Sequence, residues 1–126
     1  MIRAFIFDLD GTLVETELLK AQAYAAVSQT LLGLDAPDER AIDVYRRIVG
    51  ATDETAARAM VDELGLASAM HEGAEEPWQA LSRLQTQRYR SDFASGDGLR
   101  SVVYRHAIDL LRDQAASEMA VAVATS

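Results

Sequence analysis

Two short apolar runs stand near the ends of this chain, and the stretch between them follows a helical rhythm. The first run, Ala4 to Phe7, is unbroken and rich in residues that suit a pleated, buried surface. The second, Met119 to Ala124, is as short and does not alternate, which reads as a buried parallel strand. Between them, Leu19, Ala23, Val27 and Leu31 recur at four-residue spacing. They predict a helix over 16–32, with Thr16 as N-cap and Gly33 as its stop. Pro37 suits the first position of a second helix, with Asp38 and Glu39 in its first turn. Its apolar face is Ile42, Tyr45 and Ile48 or Val49, and Gly50 ends it. Thr52 or Asp53 caps a third helix with Ala56, Met60 and Leu64 on its face and Gly65 at its end. Residues 67–76 have little period and read as a loop with a short turn. Pro77 opens a fourth helix to about Phe93, with Trp78, Leu81 and Leu84 apolar. Ser95-Gly96-Asp97-Gly98 reads as a linker. A fifth helix over 99–115 carries Leu99, Val103, Ala107 and Leu110 on one face.

The order is therefore strand, four helices, linker, helix, strand. The last helix and strand return to the first strand as a parallel neighbour, so the helical block is an insertion in a βαβ-like unit. The fold class is α/β.

Composition narrows the function classes. The chain has 126 residues, 49% of them hydrophobic and none of them cysteine. That suits one globular domain without disulfides or thiolate metal sites. No apolar run reaches membrane-spanning length and no signal-peptide pattern opens the chain, so a soluble, cytoplasmic protein is expected. The formal charge is −8, from 12 Lys+Arg against 20 Asp+Glu. This disfavours nucleic acid and anionic membranes as partners, since both need clustered cations. A small anionic substrate needs only a local positive site.

The chemistry gathers where the first apolar run stops. Asp8 and Asp10 are two positions apart, so in a strand both carboxylates can project on the same side. Gly11 frees the backbone to turn sharply, and Thr12 adds a hydroxyl as a candidate substrate contact. Two carboxylates this close repel each other unless a cation sits beside them. Mg²⁺ suits the place, because it takes a few carboxylate oxygens plus waters and substrate phosphate. A carboxylate held on the metal can attack phosphorus and form an aspartyl-phosphate. Its neighbour can give a proton to the leaving oxygen and later take one from water. At average residue usage, Asp-x-Asp-Gly-Thr arises by chance in roughly one chain in a thousand of this length. A bare Asp-rich turn is the weaker reading.

The other strand adds to the picture. In open α/β sheets, ligands sit beyond the carboxyl ends of strands. With the two runs as parallel neighbours, Thr125 lands beside Asp8, where a hydroxyl and a backbone N–H can hold a phosphate. Ser126 follows it. Elsewhere the residues have ordinary readings. Arg46 and Arg47 suit the last turn of a helix, Glu15 and Glu17 a solvated surface, and the single lysine, Lys20, an exposed helix position. His106 has no neighbouring Cys or His to share a metal with.

Phe5-Ile6-Phe7-Asp8-Leu9-Asp10-Gly11-Thr12-Leu13 resembles the first motif of the haloacid dehalogenase superfamily, whose members are mostly Mg²⁺-dependent phosphatases. Leu13-Val14-Glu15-Thr16-Glu17 is similar to the start of the subgroup with a helical (C1-type) cap. The apolar strand ending in Thr125 resembles the second motif. The resemblance implies a fragment of a Rossmann-like core, two parallel strands plus a helix, over 1–14 and 99–126, with a cap over 15–98. It implies Asp8 as nucleophile and Asp10 as general acid/base, both on the metal. The dehalogenases carry Tyr at the Asp10 position and the phosphonate-cleaving branch a small residue, so Asp10 implies phosphate esters. The loop Gly50-Ala51-Thr52 faces the active site in relatives, so Gly50 and Thr52 join Thr12, Thr125 and Ser126 as substrate-binding candidates. The expected function is phosphatase action on a small phosphorylated metabolite. A sugar phosphomutase would share these residues, and a non-catalytic binding or assembly module is the reading from another class.

Some features depart from the family. Its pattern calls for a lysine after the second motif and a later acidic pair, and neither is among these residues. The Ser126 carboxylate, ionised at neutral pH, would repel a phosphate. The expectation is a truncated, inactive chain that self-associates through an exposed sheet edge. Relatives often have Pro-Gly near the fifth helix, where this chain has Arg105-His106.

Overall fold

The two apolar runs find each other. In the computed structural model, which describes residues 2–70, 75–117 and 119–124, β1 spans Ala4–Asp8 and β2 spans Ala120–Ala124. They pair in parallel, with Ala4 opposite Ala120 and Asp8 opposite Ala124. A parallel pair cannot be closed by a tight turn, so the rest of the chain is the crossover. It divides into two compact units, residues 1–17 with 96–126, and residues 18–95.

In the strand unit, alternation sends Phe5 and Phe7 to one face. There they pack with Leu13, Val14 and Val121, and with Val103, Ala107, Ile108 and Leu111. The other face carries Ile6, 75% exposed. The expectation of two fully buried strands is therefore corrected. A period of two splits the apolar residues between two faces, and within this unit helices cover one of them.

The predicted fifth helix is two helices. α5 spans Gly96–Ser101 and α6 spans Arg105–Ala115. Four helices precede them, α1 (Thr16–Leu32), α2 (Glu39–Arg47), α3 (Asp53–Leu64) and α4 (Pro77–Arg88). The supposed linker residues Gly96, Asp97 and Gly98 form the first turn of α5, with Asp97 near the positive end of the helix. Residues 102–104 leave the helix because their backbone pairs with residues 13–15 instead. That break resets the helical face. Leu110, expected inside, is 50% exposed, while Ile108 and Leu111 pack inward. Arg105 and His106 open α6 and do not lie within a longer helix.

The helical unit contains α1 (Thr16–Leu32) from Leu18 onward, α2 (Glu39–Arg47), α3 (Asp53–Leu64) and α4 (Pro77–Arg88). α1 has the predicted limits, but Thr16 is its first helical residue, not the cap before it. Ala21, Ala23, Tyr24, Ala25, Ala26, Val27 and Ser28 are all buried. Burial nearly all round marks α1 as a central helix. Gly33, at φ +64°, ends it, and the Leu34 N–H donates back to the Gln29 carbonyl at 3.0 Å. Met60 and Leu66 are wholly buried beside Tyr24, Val44 and Leu81. A 3₁₀ turn over Leu66–Ala69 supplies the short turn expected after α3. α4 gives way to a π turn over Tyr89–Phe93, so the helical path reaches the predicted end with a wider turn.

The start of α2 differs from expectation. Pro37 lies outside the helix, and Asp38 is the cap, its carboxylate accepting from the Arg40 N–H at 3.2 Å. The inward residues are Ala41, Val44 and Tyr45, with Val49 55% exposed. Asp38 also accepts two hydrogen bonds from the Arg40 guanidinium, at 2.8 and 2.7 Å. Those bonds hold its carboxyl below the ordinary carboxylate range, against the opposing pull of burial. A lowered folded pKa adds stability that is present above the unfolded pKa and lost as pH falls through the folded one. Asp38→Ala should therefore cost about 1 kcal/mol at neutral pH. Denaturant melts across the acid range should show this difference shrinking as pH drops below the usual carboxylate range.

Candidate active site

β1 delivers Asp8 to the carboxyl end of the parallel pair. The Leu9 N–H extends the ladder by one bond, donating to the Ala124 carbonyl at 3.0 Å. The chain then closes a tight turn. The N–H groups of Thr12, Leu13 and Val14 converge on the Leu9 carbonyl at 3.4, 3.0 and 3.1 Å. The Gly11 N–H crosses the turn to the Val14 carbonyl at 2.8 Å. Leu13 and Val14 are buried and pin the turn to the apolar layer beneath it. Asp8 and Thr12 stay exposed, and Asp10 is partly buried. Three of the predicted site residues thus belong to one strand end and its turn, in the position where α/β sheets receive ligands.

Residues 102–104 support this turn from outside. The Glu15 N–H donates to the Val102 carbonyl at 2.9 Å and the Tyr104 N–H to the Leu13 carbonyl at 3.0 Å. Val14 and Val103 form an antiparallel bridge. Sequence reading placed these residues inside a helix. The signal that could have found them is the run Val102-Val103-Tyr104, three strand-favouring residues in succession.

Thr125 and Ser126 lie outside the described residues. Gly50 and Thr52 belong to the helical unit. Gly50 adopts φ +86°, and the Thr52 hydroxyl caps α3 by accepting from the Thr55 N–H at 3.2 Å. Arg46 and Arg47 pair with Asp43 and Glu63, in keeping with their reading as helix-end cations. The His106 ring packs against Tyr104, 6.1 Å between centroids.

The chain matches the haloacid dehalogenase-like hydrolases over residues 2–126. It belongs to that family, and its α/β architecture, with two parallel strands and helices, is that of a fragment of the family's Rossmann-like core. The hydrolase class follows from the same match. No curated protein matches the chain. No helix among the described residues is long and apolar enough to cross a membrane.

The family generally uses Mg²⁺. The donors at the strand end fit that ion by their chemistry, since both are carboxylates. Among the described residues no Lys, Arg or His side chain forms an ion pair with Asp8 or Asp10. Among the described residues no group of three or more Asp, Glu, His or Cys side chains is arranged to hold a metal ion.

Gly11 is the turn's most sensitive position. Its φ is +73°, where a side chain is strained, although a Cβ there would meet no atom within 4 Å. Gly11→Ala should therefore cost about 1 kcal/mol through backbone conformation alone. Thermal melts should show that loss, and Gly11→Asn should recover part of it, since Asn tolerates the left-handed region better.

Proposed function

We propose that this protein carries the nucleophile and the general acid/base of Mg²⁺-dependent phosphate-monoester hydrolysis, through an aspartyl-phosphate on Asp8. One observation carries the reading: Asp8 closes β1 at the carboxyl end of a parallel pair, with Asp10 in the turn just beyond. Membership of a hydrolase family supports it.

In the first step an Asp8 carboxylate oxygen attacks phosphorus. The bond from phosphorus to the ester oxygen breaks, and Asp10 gives its proton to that leaving oxygen. In the second step Asp10 takes a proton from water as the water oxygen attacks phosphorus. The bond between Asp8 and phosphorus breaks, releasing phosphate and restoring both carboxyl groups. Asp8 and Asp10 are the proposed metal ligands, and charge on the transferring phosphoryl group is neutralised by Mg²⁺ when it is bound. Asp10 makes proton transfer to an alkoxide leaving group available, which favours phosphate esters. Thr12 is proposed to contact substrate. Substrate selection is assigned to the helical unit in its role as cap, with Gly50 and Thr52 as the residues to vary.

An assay with Mg²⁺ and an aryl phosphate tests this. Turnover should vanish in Asp8→Asn and fall roughly a hundredfold or more in Asp10→Asn. Mass spectrometry after incubation with a phosphoryl donor should locate one added phosphoryl group on Asp8. Turnover or labelling that survives Asp8→Asn would end the proposal.

A further inference from the structure

We infer that the backbone N–H of Tyr104 is a positioning group for Asp10, holding closed the turn that carries it. The inference rests on the site proposed above and adds a residue far along the chain from it. The turn bonds to itself through the Leu9 and Val14 carbonyls and bridges Asp10 to Val14, but its Leu13 carbonyl needs a donor from outside. Three N–H groups share the single Leu9 carbonyl, which has two lone pairs, and the third bond is long at 3.4 Å. One end of the turn is anchored at Leu9, through the Ala124 carbonyl. The other end is anchored by the burial of Leu13 and Val14 and by the backbone bonds between residues 13–15 and 102–104. There the Tyr104 N–H serves the carbonyl of Leu13, a residue only 3% exposed. A carbonyl in such a place is costly to leave without a donor. Asp10 sits between the two anchors, so its carboxylate is held where this clamp holds the backbone.

The clamp can be removed cleanly. Tyr104 has φ −76°, which proline adopts without strain. Val103 pairs with Val14 in an antiparallel bridge, a pairing that goes with the extended backbone a following proline favours. Tyr104→Pro therefore deletes the N–H and sets the ring carbon against the Leu13 carbonyl. Tyr104→Ala removes the same aromatic ring but keeps the N–H, and is the control. A backbone ester at position 104 deletes the N–H without added bulk and decides the matter should Tyr104→Pro fail to fold.

Two readouts are needed. Amide hydrogen exchange should speed up roughly fivefold or more at Gly11, Leu13, Val14 and Glu15 in Tyr104→Pro, with Met60 in α3 unchanged as an internal reference. Mn²⁺ affinity, by electron paramagnetic resonance, should fall by a similar factor in Tyr104→Pro and hold in Tyr104→Ala. A merely structural clamp would loosen the amides and leave Mn²⁺ binding alone, and that result overturns the inference. So does exchange in Tyr104→Pro, or in the ester, that matches Tyr104→Ala. Asp8→Asn and Asp10→Asn serve as the separate check on the site. If neither weakens Mn²⁺ binding, or the unsubstituted protein binds none, the metal site itself is wrong and the positioning role goes with it.

Discussion

Parallel pairing of β1 with β2 is the constraint on which the rest depends. Two parallel strands cannot share a hairpin, so everything between Asp8 and Ala120 must serve as one long connection. Closing so long a connection costs little more in chain entropy than closing a shorter one, because the cost grows only with the logarithm of length. That tolerance lets the chain place a whole helical unit, residues 18–95, inside the crossover. The helical unit has its own buried centre, around Met60, Leu66 and Leu81.

The same pairing sets the chemistry. Because the strands run in one direction, both carboxyl ends meet at one edge, and Asp8 stands there opposite Ala124. The turn over residues 9–14 then brings Asp10 and Thr12 to the same edge. Two neighbouring carboxylates are an unfavourable arrangement by themselves, and a hard cation relieves it. In a hydrolase family, that coincidence of geometry and charge gives the Asp8 nucleophile proposal its physical basis.

A second backbone pairing shapes the strand unit. Residues 13–15 and 102–104 join through two hydrogen bonds, which make the antiparallel bridge between Val14 and Val103. This junction breaks what would otherwise be one helix into α5 and α6. It turns the apolar face of α6 so that Ala107, Ile108 and Leu111 meet the Phe5 and Phe7 side of the sheet. The site turn and the packing of α6 are thus consequences of one local contact.

Much of this was legible in the residues alone. The apolar runs specified two strands, because short unbroken runs flanked by turn residues have few other uses. Asp8, Asp10 and Gly11 marked the candidate site, since a strand's period of two lets both carboxylates project on one side before the chain turns. Gly33 and Gly65 marked helix ends through their left-handed backbone. Other features were decided only by tertiary structure. The break at 102–104 depends on residues 13–15, which no local window contains. The inward face of α2, Val44 in place of Val49, depends on where Asp38 begins the helix. Ile6 and Phe7 are alike in hydropathy, yet one is exposed and the other buried. Hydropathy records how much a residue gains from burial, whereas the placement of α6 decides which face of the sheet receives it.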